Sequence, residues 1–372
     1  MKFSCNQQIL SRALNTVSKA VTIRTTIPIL KGILLKASSD NKLTLSASDL
    51  DLSIEKNIDI NTQEEGSIVV SAKLFGDIVR KLPNEEIYFE MTEKGTVSIK
   101  TAKSEFKIVG FPAEEFPNIG EIENVSSQLS FDKEILKKMI KRTSFSASID
   151  ESKGIIVGVL LEIEENSFNM IALDGFRMAV AREKMKSEEK KKIIIAAKIL
   201  NDINKILSET EEDEEIKVVL STKKAIILLE RTKIVIRLME GEFIKYKEII
   251  PKEQAIKMII DKREFEESIE RASLLAKEGK NNLIKCSVKE NLLTINSSSE
   301  EGTVKEDIIM EKEGENIEIG FNSKYLMDAL KEIEDEKVKM EFKTGTTPCL
   351  LKPIEGEEYE YLILPVRISG DF

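Results

Sequence analysis

Apolar residues recur along this chain at two periods. Leu10, Ala13, Leu14 and Val17 fall at i, i+3, i+4 and i+7, which places one stripe on a helix. The same spacing returns at Leu136, Met139, Ile140 and Thr143, and again at Phe265, Ser268, Ile269 and Ala272. Phe75, Ile78, Val79 and Leu82 form a further stripe. Elsewhere the period drops to two, as in residues 42–47, 97–100, 217–220 and 337–342, and predicts half-buried strands.

The pattern repeats. Residues 71–82, 196–207 and 322–333 each carry a Lys followed at +4 by Asp, at +7 by a base and at +9 by an aliphatic residue. These sets are Lys73, Asp77, Arg80 and Leu82; Lys198, Asp202, Lys205 and Leu207; and Lys324, Asp328, Lys331 and Ile333. From Lys73 to Lys198 is 125 positions and from Lys198 to Lys324 is 126, about a third of the 372 residues. A period this long is a domain per repeat, not a solenoid unit. The expectation is an α+β protein of three domains, 1–122, 128–250 and 251–372, each with two helices on one side of antiparallel sheet. Residues 111–118, with Phe111, Pro112, Phe116 and Pro117, and residues 241–251 read as linkers.

Composition narrows the chemistry. With 41% hydrophobic and 33% charged residues the chain is globular, and 372 residues exceed one ordinary core. It has no histidine, so Ser-His-Asp catalysis, imidazole proton transfer and His-ligated zinc are excluded. Cys5, Cys286 and Cys349 are odd in number and lack C-x-x-C spacing, as expected of reduced thiols. The longest uncharged apolar run, residues 154–161, is too short to span a bilayer, and the N-terminus lacks an apolar leader; a cytoplasmic protein is expected.

The net charge of −10, from 56 bases and 66 acids, disfavours indiscriminate polyanion binding. The bases are nevertheless patterned. Helical geometry turns Lys73 and Arg80 away from the apolar stripe, and Lys198 with Lys205 and Lys324 with Lys331 repeat that placement. Arg12 with Lys19, and Lys137, Lys138, Lys141 and Arg142, are expected to do the same on the upstream helices. The third upstream helix departs from this, with Glu266, Glu267 and Glu270; only Arg271 keeps its sign. For one helix a solvated face is the simpler reading; recurrence in register favours a shared anionic target.

Several stretches resemble one family. Residues 26–35, with Ile27, Pro28, Ile29 and Leu30, are similar to a Leu-Pro-Ile-Leu stretch of the bacterial sliding clamp, the beta subunit of DNA polymerase III. Residues 48–51, 116–118, 172–180, 321–326 and 361–368 also resemble that family, in the family's order. The resemblance implies a head-to-tail homodimer of three-domain chains that closes a ring around duplex DNA, with helices lining the hole. It implies no enzyme activity and no cofactor.

Carried over by position, the resemblance implies that Arg24, Lys73, Arg80, Lys198 and Lys205 face DNA, and the repeat adds Lys324 and Lys331. It places Phe106 and Ile108 of one copy against Leu274 and Leu275 of the other; the alternative for these four is intradomain core. It implies a hydrophobic pocket for short linear peptides of the polymerase III catalytic subunit, the clamp loader, other polymerases and repair proteins. The wall would be Ile156, Leu173, Gly175, Phe176, Arg177 and Met178, with Ile244 and Ile249 from the linker. Leu362, Leu364, Pro365, Val366 and Arg367 would come from the tail. This sequence has Phe176 where the family commonly has His and Ile244 where it commonly has Pro, changes that make the pocket more apolar. The final residues 369–372 run past the family's usual end.

Acidic residues leave one reading from another class. The run 211–215, or Asp49 with Asp51 on one face of an expected strand, would suit a metal-dependent nuclease or polymerase. Only Asp49 has a counterpart, Asp174, in the second repeat, and no Gly-rich phosphate loop is present. The non-catalytic reading is preferred.

Overall fold

Each of the six described helices follows a strand with no intervening loop, and in four of them the side chain of the last strand residue caps the helix. In the computed structural model, which describes residues 1–119, 125–187, 189–210 and 215–368, helix α1 is Gln7–Val17 and α2 is Ala72–Lys81. Helices α3 (Lys133–Ser144), α4 (Ala197–Glu209), α5 (Lys262–Ala276) and α6 (Ser323–Leu330) follow. Asn6 Oδ1 accepts from the Gln8 amide at 2.9 Å, Ser71 Oγ from Leu74 at 3.4 Å, Asp261 Oδ1 from Glu264 at 2.9 Å and Asn322 Oδ1 from Lys324 at 3.0 Å. Each cap satisfies a helix-end donor that has no partner within the helix. Every repeat thus carries two helices, as the periodicity predicts.

The chain forms two compact units that cut across the repeats. One comprises Met1–Glu134 and Lys205–Leu238; the other comprises Ile135–Asn204 and Met239–Phe372. The central repeat is divided between them because sheets continue over its boundaries. In the first unit an eight-stranded antiparallel sheet joins Leu52–Asp59 of the first repeat to Thr232–Arg237 of the second, in register from Thr232 opposite Lys56 to Ile236 opposite Leu52. In the second unit a nine-stranded sheet joins Arg177–Lys184 of the second repeat to Tyr359–Ile363 of the third, from Arg177 opposite Ile363 to Ala181 opposite Tyr359.

Each unit also holds a smaller sheet. In the first unit its outer strand is Glu105–Val109, paired on one side to Thr96–Lys100. In the second it is Gly302–Ile309, paired on one side to Leu292–Ser299.

Apolar stripes predicted from the sequence face these sheets. Phe75 of α2 is fully buried and meets Phe89 edge-on at 6.1 Å, while Phe89 stacks on Phe3 at 4.7 Å. Phe265 and Ile269 of α5 and Leu326 of α6 enter the large core of the second unit with Phe321 and Phe342. Cys5, Cys286 and Cys349 are all buried, and burial pushes the Cys5 and Cys286 thiols up to about 12. No described helix is long and apolar enough to cross a membrane.

Three expectations for charged residues are corrected. Lys19 lies beyond α1 in a short 3-10 turn, Ser18–Ala20, and pairs with Glu209 at 3.1 Å. Arg142 is buried; its guanidinium lies 5.3 Å from the Tyr359 ring centre and 3.9 Å from Glu334, which also binds Lys138 at 3.1 Å. Asp49 and Asp51 share no strand face. They sit in the turn between Lys42–Ser48 and Leu52–Asp59, where Asp49 Oδ1 accepts the Asp51 and Leu52 amides at 3.0 and 2.7 Å. The acids of α5 are largely paired: Glu266 with Lys262 at 2.6 Å and Glu267 with Arg263 at 2.9 Å.

Replacing Phe75 by Ala removes a ring with no exposed surface and should destabilise the first unit by about 3–5 kcal/mol. Leu74→Ala, on the exposed side of the same helix, should cost less than about 0.5 kcal/mol. Hydrogen exchange of the α2 amides measures both.

Candidate functional site

The basic positions fall on exposed backbone. Arg24, Lys73, Arg80, Lys198, Lys205, Lys324 and Lys331 are all exposed. Arg80 is 3.2 Å from Asp77, a surface pair one turn away. Lys73, Lys198, Lys324 and Lys331 have no ion-pair partner among the described residues. Such amines are fully hydrated and available to phosphates.

The apolar surface assembles where the second and third repeats meet, within the second unit. Leu173, Met178 and Leu362 are buried in one cluster with Leu160, Val180 and Ile194; Ile156, Phe243 and Leu364 pack on it partly exposed. The turn beneath the rim is built by Asp174. Its Oδ1 accepts the Phe176 and Arg177 amides at 2.8 and 3.1 Å, and Gly175 takes a φ of 95° that a side chain would strain. The Leu364 amide then donates to the Phe176 carbonyl at 2.9 Å, which fixes the tail against the turn. Val366 is held differently, by a bridge to Gly320, and Arg367 is exposed.

Arg177 is held by the fold on several sides. It is buried, with Nε 3.1 Å from Asp174, Nη1 2.6 Å from Asp328 and Nη2 donating to the Phe145 carbonyl at 2.8 Å. Its guanidinium also lies 4.7 Å from the Tyr325 ring centre. Phe176 is 53% exposed and stacks on Tyr325 with ring centres 6.1 Å apart, and Lys153 Nζ lies 5.7 Å from the Phe176 ring centre. The rim thus offers a ring face supported from behind.

The two junctions share this turn and differ in the residues that flank it. At the first junction Asp49 builds the equivalent turn, and the Arg237 amide donates to the Asp51 carbonyl at 2.8 Å as Leu364 does to Phe176. By that hydrogen-bond match, Ser48 stands for Leu173, Ser53 for Met178 and Arg237 for Leu364. Ser48 and Ser53 hydrogen-bond each other at 2.8 Å, so a polar pair takes the place of Leu173 and Met178 there.

The linker wall was the least legible part of the site. Ile244 and Ile249 are both about two-fifths exposed, as a contact wall requires. Between them Tyr246 is buried, and its hydroxyl donates to Glu162 Oε2 at 2.7 Å. Glu162, whose side chain is 1% exposed, also binds Lys192 at 2.8 Å and Lys247 at 3.2 Å. Burial alone would raise its pKa, but hydrogen bonds from Lys192, Tyr246 and Lys247 outweigh that and bring the carboxyl to about 2. The sequence signal was present: the apolar run noted above stops at Glu162, a charge on a strand, Gly158–Ile163, whose every residue is buried.

Of the expected subunit contacts, Phe106 is 38% and Leu274 65% exposed, and Leu275 is half-buried. Ile108 is buried in its own sheet opposite Val97, so the single chain uses it as intradomain core.

Family models cover almost the whole chain. Residues 1–120 match the N-terminal domain of the DNA polymerase III beta subunit, residues 130–245 its central domain and residues 247–367 its C-terminal domain. The chain belongs to the DNA polymerase III beta subunit family. It is 35% identical to the beta sliding clamps of Staphylococcus epidermidis and Staphylococcus aureus, over 99% of this chain and 99% of each relative. Its structure is similar to that of the DNA polymerase sliding clamp from Bacillus subtilis, with a TM-score of 0.93 at 33% identity over 99% of this chain and 100% of that one. A putative beta subunit from Eubacterium rectale gives a TM-score of 0.92 at 35% identity, again over 99% and 100%. The function of the family is that of a sliding clamp conferring processivity on DNA polymerase III, and the chain is a non-catalytic subunit with DNA and polymerase as partners.

Because Glu162 titrates lower when folded, its contribution to stability is fully present above its ordinary value near 4.5 and is lost as pH falls toward 2. The stability difference between the parent chain and Glu162→Gln, from urea unfolding, should be constant above about pH 5 and shrink by up to about 3 kcal/mol toward pH 2.

Proposed function

We propose that two copies of this chain close head to tail into a ring around duplex DNA, and that the ring tethers its partners through the pocket at the second junction. One observation carries the ring. Within the chain, each repeat joins the next by pairing the third strand of one hairpin set, Leu52–Asp59 or Arg177–Lys184, with the last strand of another, Thr232–Arg237 or Tyr359–Ile363. The corresponding strands left over are Gly302–Ile309 in the third repeat and Glu105–Val109 in the first, both outermost in their sheets. Exposed apolar side chains accompany those edges: Ile309 is 80% and Val109 73% exposed, Phe106 lies on Glu105–Val109, and Leu274 lies on α5, which packs against Gly302–Ile309. A second copy supplies the missing partner strand, twice, by symmetry.

In that ring the exposed bases Arg24, Lys73, Arg80, Lys198, Lys205, Lys324 and Lys331 meet phosphates. Such contacts carry no sequence information, as a protein that slides requires. The net charge of −10 disfavours DNA on other surfaces. The pocket of Ile156, Leu173, Met178, Ile244, Ile249, Leu362 and Leu364, with Phe176 at the rim, accepts Leu or Phe anchors of short peptides from the polymerase III catalytic subunit, the clamp loader and other DNA-processing proteins. Its apolar wall and the small number of polar groups there support this reading. A cytoplasmic location follows from that role.

Protein loaded on nicked circular DNA should stay bound, then leave once the circle is cut to a linear duplex. Equal retention on both forms would show ordinary binding instead. Removing residues 364–372 should abolish binding of a Leu- and Phe-anchored peptide, expected near micromolar or about −8 kcal/mol, while the dimer persists. Isothermal titration with the truncated chain measures it, and unchanged affinity would place the pocket elsewhere.

A further inference from the structure

The linker that supplies Ile244 and Ile249 lines an open cavity of about 550 Å³ together with Leu160, Glu162, Lys192 and Ile194. A segment that lines an open cavity lacks packing partners on that side and needs another means of holding its position. Across residues 241–249 only Tyr246 is buried; Gly241, Glu242, Ile244, Lys245, Lys247, Glu248 and Ile249 are exposed and Phe243 is half-buried. The backbone of the wall is tied to the same residue. The Tyr246 amide donates to the Ile244 carbonyl at 2.7 Å, and the Ile249 amide donates to the Tyr246 carbonyl at 3.0 Å. Ile244 and Ile249 are therefore placed by wherever Tyr246 is placed.

We infer that the hydrogen bond from Tyr246 to Glu162 is a latch that positions the linker wall of the partner pocket. Glu162 and Tyr246 are positioning residues, and neither needs to touch the peptide. The inference rests on the pocket reading above. The bond is between a buried hydroxyl and a buried carboxylate, the setting in which a hydrogen bond is strongest. Lys192 and Lys247 neutralise the carboxylate from the solvent side, so it stays an acceptor for the phenol. Lys36 occupies the matching place in the first repeat, fifth in Gly32–Ala37 as Glu162 is fifth in Gly158–Ile163. The acceptor is thus present at the second junction and replaced by a base at the first.

Full-length dimer and a labelled Leu- and Phe-anchored peptide provide the test, with Tyr246→Phe, Glu162→Leu and Glu162→Gln as variants. Tyr246→Phe and Glu162→Leu should each weaken the peptide about tenfold, and the double variant should be no weaker than Glu162→Leu alone. Glu162→Gln, whose amide oxygen still accepts the phenol, should stay within about threefold of the parent, a rescue that a general packing defect would not give. The Tyr246 and Ile249 amides should exchange about tenfold faster in Tyr246→Phe, a readout that needs no peptide. Parent affinity and parent exchange in Tyr246→Phe would overturn the latch. Leu173→Lys separates the two readings. If it abolishes peptide binding while Tyr246→Phe changes nothing, the latch alone fails; if it too binds normally, the pocket reading fails and the latch with it.

Discussion

Antiparallel strand pairing across repeat boundaries is the constraint on which the rest of this molecule depends. A hairpin set ends in an edge strand with unpaired amides and carbonyls, and such an edge is stable only when covered, charged or paired. Here two of these edges are paired within the chain, at Leu52–Asp59 with Thr232–Arg237 and at Arg177–Lys184 with Tyr359–Ile363. Each backbone hydrogen bond at such a seam adds only about 0.5–1.5 kcal/mol, but a five-residue register fixes orientation as well as affinity. The repeats therefore lose their identity as compact units, and the central one is shared between two bodies.

The same seams generate the specialised surfaces. Each seam needs a tight turn at its end, and an Asp builds it in both cases, with Asp49 and Asp174 accepting two backbone amides apiece. Once the turn exists, the residues flanking it decide what the seam does. Ser48 and Ser53 satisfy each other at the first seam. Leu173 and Met178 cannot, and at the second seam they enter an apolar cluster with Leu362 on which Ile156 and Leu364 pack partly exposed, the place proposed here for a partner side chain. Arg177 ties that seam's turn to Asp328 of α6 and to the Phe145 carbonyl.

Much of this was legible in the sequence because helices and strands announce themselves by period. The six described helices follow from apolar stripes in four cases and from the repeat in the other two, and the exposed faces of Lys73, Lys198 and Lys324 follow with them, since an amphipathic stripe determines which side is wet. What escaped was set by residues distant in sequence. Arg142 shares a helix with exposed lysines, yet Tyr359 and Glu334, two hundred or so positions on, draw it inward. Lys19 is claimed by Glu209 in the same way. Periodicity on a single helix carries no record of such partners. Glu162 was the one case in which the sequence did leave a trace, as a charge closing an apolar run, and its partner in the linker gave none.

The decisive quantity is the fate of the two outer strands, Gly302–Ile309 and Glu105–Val109. Small-angle scattering of the purified full-length chain at micromolar concentration addresses it directly, because a hollow ring and a compact body differ at every angle. A closed ring predicts a particle of twice the 42.0 kDa chain mass, with a distance distribution carrying the signature of a central hole. A particle of single-chain mass, or a dimer whose scattering shows no hole, would contradict closure through these strands.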